Sequence, residues 1–387
     1  MGGIVIMSFE NLKATLDRYV GVHYPGIDMC VHHKGKEIFR YQTGYSNHEN
    51  KTPVNPDALY HIFSCTKPGT CTAALQLLEK GYYRLTDPVY EYIPEYKDVV
   101  VKVQKPNGGV EYVKPKSPVT IGQIFSMTSG IDYNFNVDCI NEVRERTNGK
   151  MSTLEVVKAI AKKPLNFHPG ERWLYGLNHD VLGGLIEVWS GMKFGDYMQK
   201  NVYEPCGMTE TSLKINDEKR ARLMDMCRVS KGVFSYVPNV CEYTFDEDCD
   251  YESGGGGVVS SVSDYIKFVD VLANGGVSPK TGERILTQRT IDIMRTNNLT
   301  DVQLKEDYTK KWVNGYGYGL GVRTLMTNAK GTLEPVGTFG WAGAAGSYLS
   351  ADPKEQISVF YARSIRPCNN SILPAMVMNT LYSELYK

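Results

Sequence analysis

Residues 60–81 read YHIFSCTKPGTCTAALQLLEKG. Ala73, Ala74, Leu77 and Leu78 fall at helical spacing, and Gly81 supplies the stop. Pro68 fixes where the helix begins. It has no N–H for the carbonyl of Ser64 and its ring would clash there, so Ser64 must stand at the N-terminal end. Ser64 and Lys67 share one face, with Cβ atoms roughly 5–6 Å apart, so the lysine amine can reach the serine hydroxyl. A helix N-terminus also offers unpaired N–H groups and positive potential, which favour an alkoxide-like nucleophile and an oxyanion beside it. The plainer alternative is an N-cap serine followed by a solvated lysine.

Spacing alone does not decide between them. A second Ser-x-x-Lys, Ser190-Gly191-Met192-Lys193, ends a predicted helix, where the dipole has the wrong sign for an anion. Other nucleophile signatures are missing: the chain has neither Gly-x-Ser-x-Gly nor the His-Glu-x-x-His of zinc hydrolases. His32 and His33 are adjacent on a predicted strand and point to opposite faces, a poor metal pair. Neither a metal nor a cofactor is expected.

Around this core, the 387 residues carry 43 Lys+Arg against 43 Asp+Glu. With no basic surplus, nucleic acid and anionic membrane are not expected partners. Nine cysteines without a Cys-x-x-Cys pair must leave a free thiol and suit a reducing compartment. The opening MGGIVIMSFENL holds too short an apolar run for a signal peptide, and no run approaches the ~18 residues of a membrane span, so a cytoplasmic address is expected. Met1 and Met7 are both possible natural starts.

The pattern predicts a helix over 9–20, a hairpin turning at Lys34-Gly35, a second hairpin around Asn107-Gly108-Gly109, helices over 152–162 and 179–190, and a glycine-rich run entering a helix after 253. Strand-like runs at 316–325, 337–350 and 356–363 precede a last helix over 371–386. The expected class is α+β: an antiparallel sheet flanked by helices and built from both chain termini, 1–85 plus 251–387. A mostly helical insertion, 86–250, carries a hairpin excursion near 98–115.

From FSCTKPGT onward the chain resembles the serine β-lactamase and penicillin-binding-protein superfamily, in its class C-like branch with the family VIII carboxylesterases. PVNPDALYHIFSCTK, IGQIFSMTSGID, RWLYGLNHDVLGGLIEVWSG, SGGGGVVSSVSDYIKF, GYGYGLGV and FGWAGAAGSYLSADP follow the family's order across about residues 35–365. The resemblance implies that Ser64 is the nucleophile and that Lys67 and Tyr175 exchange its proton; a phenol becomes a usable base when a cation stands beside it. It also implies an oxyanion hole from the backbone N–H groups of Ser64 and Ala344. The family's Tyr-x-Asn is here Tyr175-Gly176-Leu177-Asn178, one residue longer, so Asn178 stands between a substrate contact and a helix N-cap. His168 and His179 read as structural.

Where β-lactamases have Lys-Thr-Gly or His-x-Gly, this chain has Trp341-Ala342-Gly343, as family VIII esterases carry a tryptophan. That change predicts an apolar wall in place of a carboxylate-binding lysine, and hence esters of neutral small molecules. The alternatives are a β-lactamase, a D-aminopeptidase or DD-peptidase acting on an amide, or an alcohol acyltransferase; a non-catalytic scaffold would not need all three groups. Tyr133, Phe135, Asn136, Tyr251, Trp312, Tyr316, Tyr318 and Tyr348 fall in segments that approach the family's cleft. The acidic run 246–252 reads as a solvated loop or a device against anionic substrates.

Overall fold

The hairpin expected at Lys34-Gly35 is present. Strands β1 (Gly26–His33) and β2 (Lys36–Asn47) are joined by a two-residue turn in which both residues have positive φ, 54° and 72°, the mirror-image turn that matches strand twist. In the computed structural model, which describes residues 8–47, 50–230, 232–237, 250–311, 315–368 and 372–385, this hairpin supplies two strands of an eight-stranded antiparallel sheet. β3 (Thr52–Pro53) follows it, and β4 (Tyr316–Tyr318), β5 (Arg323–Leu325), β6 (Phe339–Ala342), β7 (Tyr348–Asp352) and β8 (Ile357–Ala362) come from the far end of the chain. The order is β4-β5-β6-β7-β8-β1-β2-β3, so the two chain ends meet where Cys30 pairs with Phe360.

Alternate residues leave the sheet on opposite sides. Ile27, Met29 and Val31 of β1 and Ile357, Val359 and Tyr361 of β8 pack against α1 (Glu10–Asp17), which ends short of the 9–20 expected, and against the C-terminal helix Leu373–Leu385. The Glu384 carboxylate accepts from the N–H groups of Asn11 and Leu12 at 3.2 and 3.0 Å, binding one terminus to the other across the first turn of α1. Cys30, Phe360, Ala362 and Leu349 face the larger core on the other side.

That core surrounds α2 (Thr66–Glu79). The sequence suggested one apolar face, but every residue from Thr66 to Leu77 is buried. A helix covered on all sides lies at the centre of the protein rather than on its surface. It packs chiefly against α3 (Asn178–Ser190), and α4 (Val262–Ala273) packs on β8 and β1.

The stretch between β3 and β4 holds the expected hairpin, Val101–Gln104 with Val110–Val113, and helices at Asp138–Arg146 and Thr153–Ile160. It also holds a hairpin the sequence reading left out, Met226–Ser230 with Val233–Val237. Ile365–Arg366 joins that hairpin in parallel, beside Cys227 and Arg228. Among the described residues no helix is long and apolar enough to cross a membrane.

Candidate active site

Ser64 lies in a tight turn, Phe63–Cys65, that runs directly into α2. Phe63 has a φ of 46°, a left-handed conformation that costs a non-glycine residue about 1–2 kcal/mol. Neighbouring contacts hold it there. The Ser347 hydroxyl donates to Ile62 O at 2.6 Å, the Tyr265 hydroxyl to Cys65 O at 2.6 Å, and Val258 N–H to Thr66 Oγ1 at 3.1 Å. Fixed in this way, the serine hydroxyl faces a cleft of about 720 Å³.

Two ionisable groups converge on it. Ser64 Oγ accepts from Tyr175 Oη at 2.7 Å and from Lys67 Nζ at 3.1 Å. The lysine is not the solvated side chain of the plainer reading: it is 0% exposed. Its ammonium also donates to Gly255 O and stands 4.9 Å and 5.4 Å from the ring centroids of Tyr175 and Tyr133, contacts that replace part of its lost hydration.

The glycine run exists to bring that carbonyl in. A Cβ on Gly254 would lie 2.3 Å from His179 O, and one on Gly255 2.5 Å from Asp180 Oδ2. Asp180, in the first turn of α3, accepts from Tyr251 Oη at 2.7 Å, Ser253 Oγ at 2.6 Å and Gly255 N at 3.3 Å. The carboxylate therefore shapes the loop that holds Lys67, and Tyr251 acts through it while stacking on Phe135.

Tyr175 arrives on the chain leading into α3. Gly176 permits this approach, since a Cβ there would lie 2.0 Å from Ile131 O. The close pass stacks Tyr133 on Tyr175 with centroids 5.4 Å apart. Behind the phenol, Trp341 Nε1–H donates to Tyr175 Oη at 3.2 Å. Trp341 is 1% exposed and packs with Trp173, Tyr308 and Tyr318, so it backs the tyrosine instead of forming the apolar cleft wall expected of it.

The remaining candidates separate cleanly. Tyr133, Phe135, Asn136 and Ala344 line the cleft with Ser64 and Tyr175. Gly343 is buried beside Ala344, where a Cβ would lie 2.2 Å from Ile62 O, so the turn before β7 passes close to the serine. Tyr318 and Tyr348 are 0% and 1% exposed and do not line it. Tyr316 donates to Glu334 at 2.9 Å, away from the cleft. Asn178 neither caps α3, whose cap is Leu177, nor reaches the cleft; it is buried and accepts from Ser129 Oγ at 2.5 Å. Trp312 and residues 246–249 of the acidic run lie outside the described residues.

His179 is buried and burial, helped by the Lys67 charge, lowers its pKa to about 3, so it is a neutral interior residue. His168 accepts from Lys116 N–H at 3.3 Å, away from Ser64. His32 pairs with Asp270 at 2.8 Å and lies with Cys30 and Glu37 in a group whose possible ligand atoms are within 4.8 Å of one another, a group that does not include His33. Sequence reasoning missed two cleft residues of consequence, Arg144 and Arg366. Neither lies in a motif, and only the tertiary fold brings them to Ser64.

Residues 12–367 match the family model described as Beta-lactamase. Acyltransferase calJ of Penicillium decumbens is 26% identical over 365 residues, spanning 89% of this chain and 84% of its own. Esterase EstB of Burkholderia gladioli is 25% identical over 360 residues, spanning 86% and 84%. The solved structure of EstCE1, described as a hydrolase with promiscuous acyltransferase activity, superposes with a TM-score of 0.79 at 20% identity and covers 98% of this chain and 100% of its own; at that identity it speaks to fold alone. A match over nearly the whole chain, on an antiparallel sheet made from both ends with helices around it, means that the chain belongs to the Beta-lactamase family and is a serine hydrolase of the β-lactamase/transpeptidase-like fold.

Proposed function

We propose that the protein is a carboxylesterase that works through an acyl-enzyme on Ser64. The observation that carries this reading is the convergence of Tyr175 Oη and a fully buried Lys67 Nζ on one serine hydroxyl, at 2.7 and 3.1 Å. The Ser64 proton passes to the Tyr175/Lys67 pair and Oγ bonds to the acyl carbon. The backbone N–H groups of Ser64 and Ala344 hold the oxyanion. The ester C–O bond breaks, the leaving alkoxide takes the proton, and water repeats the sequence to release the acid. Trp341 steadies Tyr175 through its indole N–H, a donor that serves phenol and phenolate alike.

Ser64, Lys67 and Ala344 come from the segments 1–85 and 251–387 and Tyr175 from 86–250, which makes the cleft the junction of the two parts of the chain. The expectation of neutral substrates rested on Trp341 in place of a carboxylate-binding lysine and on the cytoplasmic address; Trp341 stands behind Tyr175 and supplies no apolar cleft wall, which weakens that support. The seven described cysteines are all free thiols, which supports the cytoplasmic address. The balanced charge supports a small-molecule ester or amide, not nucleic acid, as the partner.

Acyl transfer to an alcohol is the second reading. Likeness to acyltransferase calJ supports it, as does a cleft of about 720 Å³ with room for both an acyl group and an acceptor. One experiment addresses both readings. The enzyme is incubated with a fluorophosphonate and mapped by mass spectrometry, then given p-nitrophenyl butyrate with and without a primary alcohol. Label on Ser64 and release of butyric acid support the esterase; butyrate ester as the main product favours transfer. Label elsewhere removes Ser64 from the mechanism.

A further inference from the structure

Ser64 opens onto a cleft whose described lining holds two guanidinium groups, Arg144 and Arg366, and no carboxylate. Their settings differ. Arg366 extends the strand pairing of Ile365–Arg366 with Met226–Ser230. Ile365 N–H reaches Ala345 O at 3.2 Å, which fixes Arg366 beside the Ala344 turn. Its Cζ lies 5.1 Å from the centroid of Phe63, the residue before the nucleophile. Arg144 projects from the helix Asp138–Arg146 on the opposite wall, with its Cζ 5.9 Å from the centroid of Phe135 and one N–H on Asn141 Oδ1 at 2.8 Å.

Among the described residues neither arginine meets a carboxylate. A guanidinium on an aromatic face keeps its in-plane N–H groups free, because stacking uses the face and hydrogen bonding uses the edge. Arg366 thus lines the cleft half-buried over the Phe63 ring, with no carboxylate partner among the described residues, and water screens it less than it screens the exposed Arg144. Lys67 adds a third positive charge at the serine itself. A positive cleft with a guanidinium that no described carboxylate engages fits a substrate carboxylate, which takes two parallel N–H donors.

We infer that the substrate is an ester bearing a free carboxylate, held by Arg366 on the Ala344 side of Ser64, with Arg144 drawing it in from the opposite wall. This rests on the esterase reading and adds to it. The bonds made and broken stay those of ester hydrolysis: Ser64 Oγ–acyl forms, the ester C–O breaks, and one water is consumed. The carboxylate takes no part in the chemistry; it sets which esters bind.

The test compares two substrates of matched length, p-nitrophenyl hexanoate and the p-nitrophenyl monoester of adipic acid, with Ser64→Ala as the background for each. On the wild type, kcat/KM for the adipate monoester is expected to exceed that for the hexanoate by about tenfold or more, the scale of one charge-assisted pair. The ratio should fall as salt is raised. Arg366→Met should reduce the ratio about tenfold, mainly through KM for the anionic ester, and Arg144→Gln should reduce it by a smaller, salt-sensitive factor.

A wild-type ratio at or below one, or a ratio that Arg366→Met leaves unchanged, overturns the proposal. Hexanoate turnover that Ser64→Ala abolishes would leave the esterase reading standing in that event. Turnover of neither ester also overturns the proposal, and fluorophosphonate labelling then tells whether the esterase reading falls with it: a labelled Ser64 keeps it, an unlabelled one does not.

Discussion

Ser190 Oγ turns back to the carbonyl of Ile186 at 2.6 Å, while Ser64 Oγ receives hydrogen bonds from a tyrosine and a lysine. Both serines begin a Ser-x-x-Lys. Ser190 closes α3, and Gly191 after it turns left-handed with φ 70°; the nearby carbonyl ends repel an anion. Lys193 is 65% exposed and its amine lies 3.6 Å from Asp250. Ser64 opens α2, and its lysine has no exposure at all. Identical spacing therefore makes a candidate nucleophile at one end of a helix and an ordinary terminus at the other. The polarity of the helix end and the burial of the amine decide between them.

The largest expected effect comes from deleting the first serine. Ser64→Ala should reduce ester hydrolysis to background and abolish fluorophosphonate labelling. Its fold should survive, because the side chain caps no helix and the turn around it is held by other residues. Activity or labelling that persists would erase the distinction between the two serines.

Lys67→Met should lower kcat by about 10²- to 10⁴-fold, the range for a positioned proton-transfer group. Activity within tenfold of the wild type would reduce Lys67 to packing and leave the two lysines alike in function. Tyr175→Phe keeps the ring stacked on Tyr133 and removes only the hydroxyl, so it tests chemistry apart from shape. A fall of about 10²-fold in kcat with little change in KM is expected of a group that acts in the transition state; an unaltered kcat would move the role elsewhere.

What made the first site legible was a local rule. Pro68 fixes Ser64 at the helix start, and three residues of helix then place Lys67 beside it. Lys34-Gly35 announced its hairpin in the same local way. The same pair, Lys231-Gly232, stands in sequence between Met226–Ser230 and Val233–Val237, but MCRVS and VFSYV alternate only weakly and do not announce a hairpin. The errors share another cause. Asn178 is engaged by Ser129, forty-nine residues away in sequence, and no local pattern shows such a partner. Tyr318 and Tyr348 sit on strands covered on both faces, where alternation no longer tells cleft from core. Arg144 and Arg366 reach Ser64 through a helix and a parallel strand pairing that no motif encodes.

The burial that separates the two lysines can be measured through His179. Its folded-state pKa of about 3, depressed first by burial and then by the Lys67 charge, lies below the ordinary value of 6.5. The unfolded chain therefore binds the proton more readily. Stability is fully present above about pH 6.5 and is lost as pH falls toward 3. Between pH 7 and 5 this group should cost about 2 kcal/mol. In His179→Gln that loss should be absent from denaturant titrations at the two pH values. Asp28, whose carboxyl burial raises to about 6, acts in the opposite direction over part of the range, but it does so in both proteins and cancels in the comparison. Parallel pH profiles for wild type and variant would show that the wall around Lys67 admits enough water to solvate an imidazolium.

The smallest effect belongs to the second Ser-x-x-Lys, where the comparison is most exposed to refutation. Lys193→Ala removes an ammonium that is mostly in solvent and 3.6 Å from its partner; exposed pairs of this kind contribute about 0–1 kcal/mol, and salt screens them further. Ser190→Ala removes a bond back to Ile186 O, a contact that competes with the helix ladder and adds little to it, and an acceptor 3.2 Å from Met192 N. Neither change touches a residue that lines the cleft. Stability should stay within about 1 kcal/mol of the wild type in urea titration, and kcat/KM for p-nitrophenyl butyrate should be the same within twofold. A loss of activity in either variant, with the fold intact, would mean that the helix end does not choose between the two serines and that the C-terminus of α3 takes part in the chemistry.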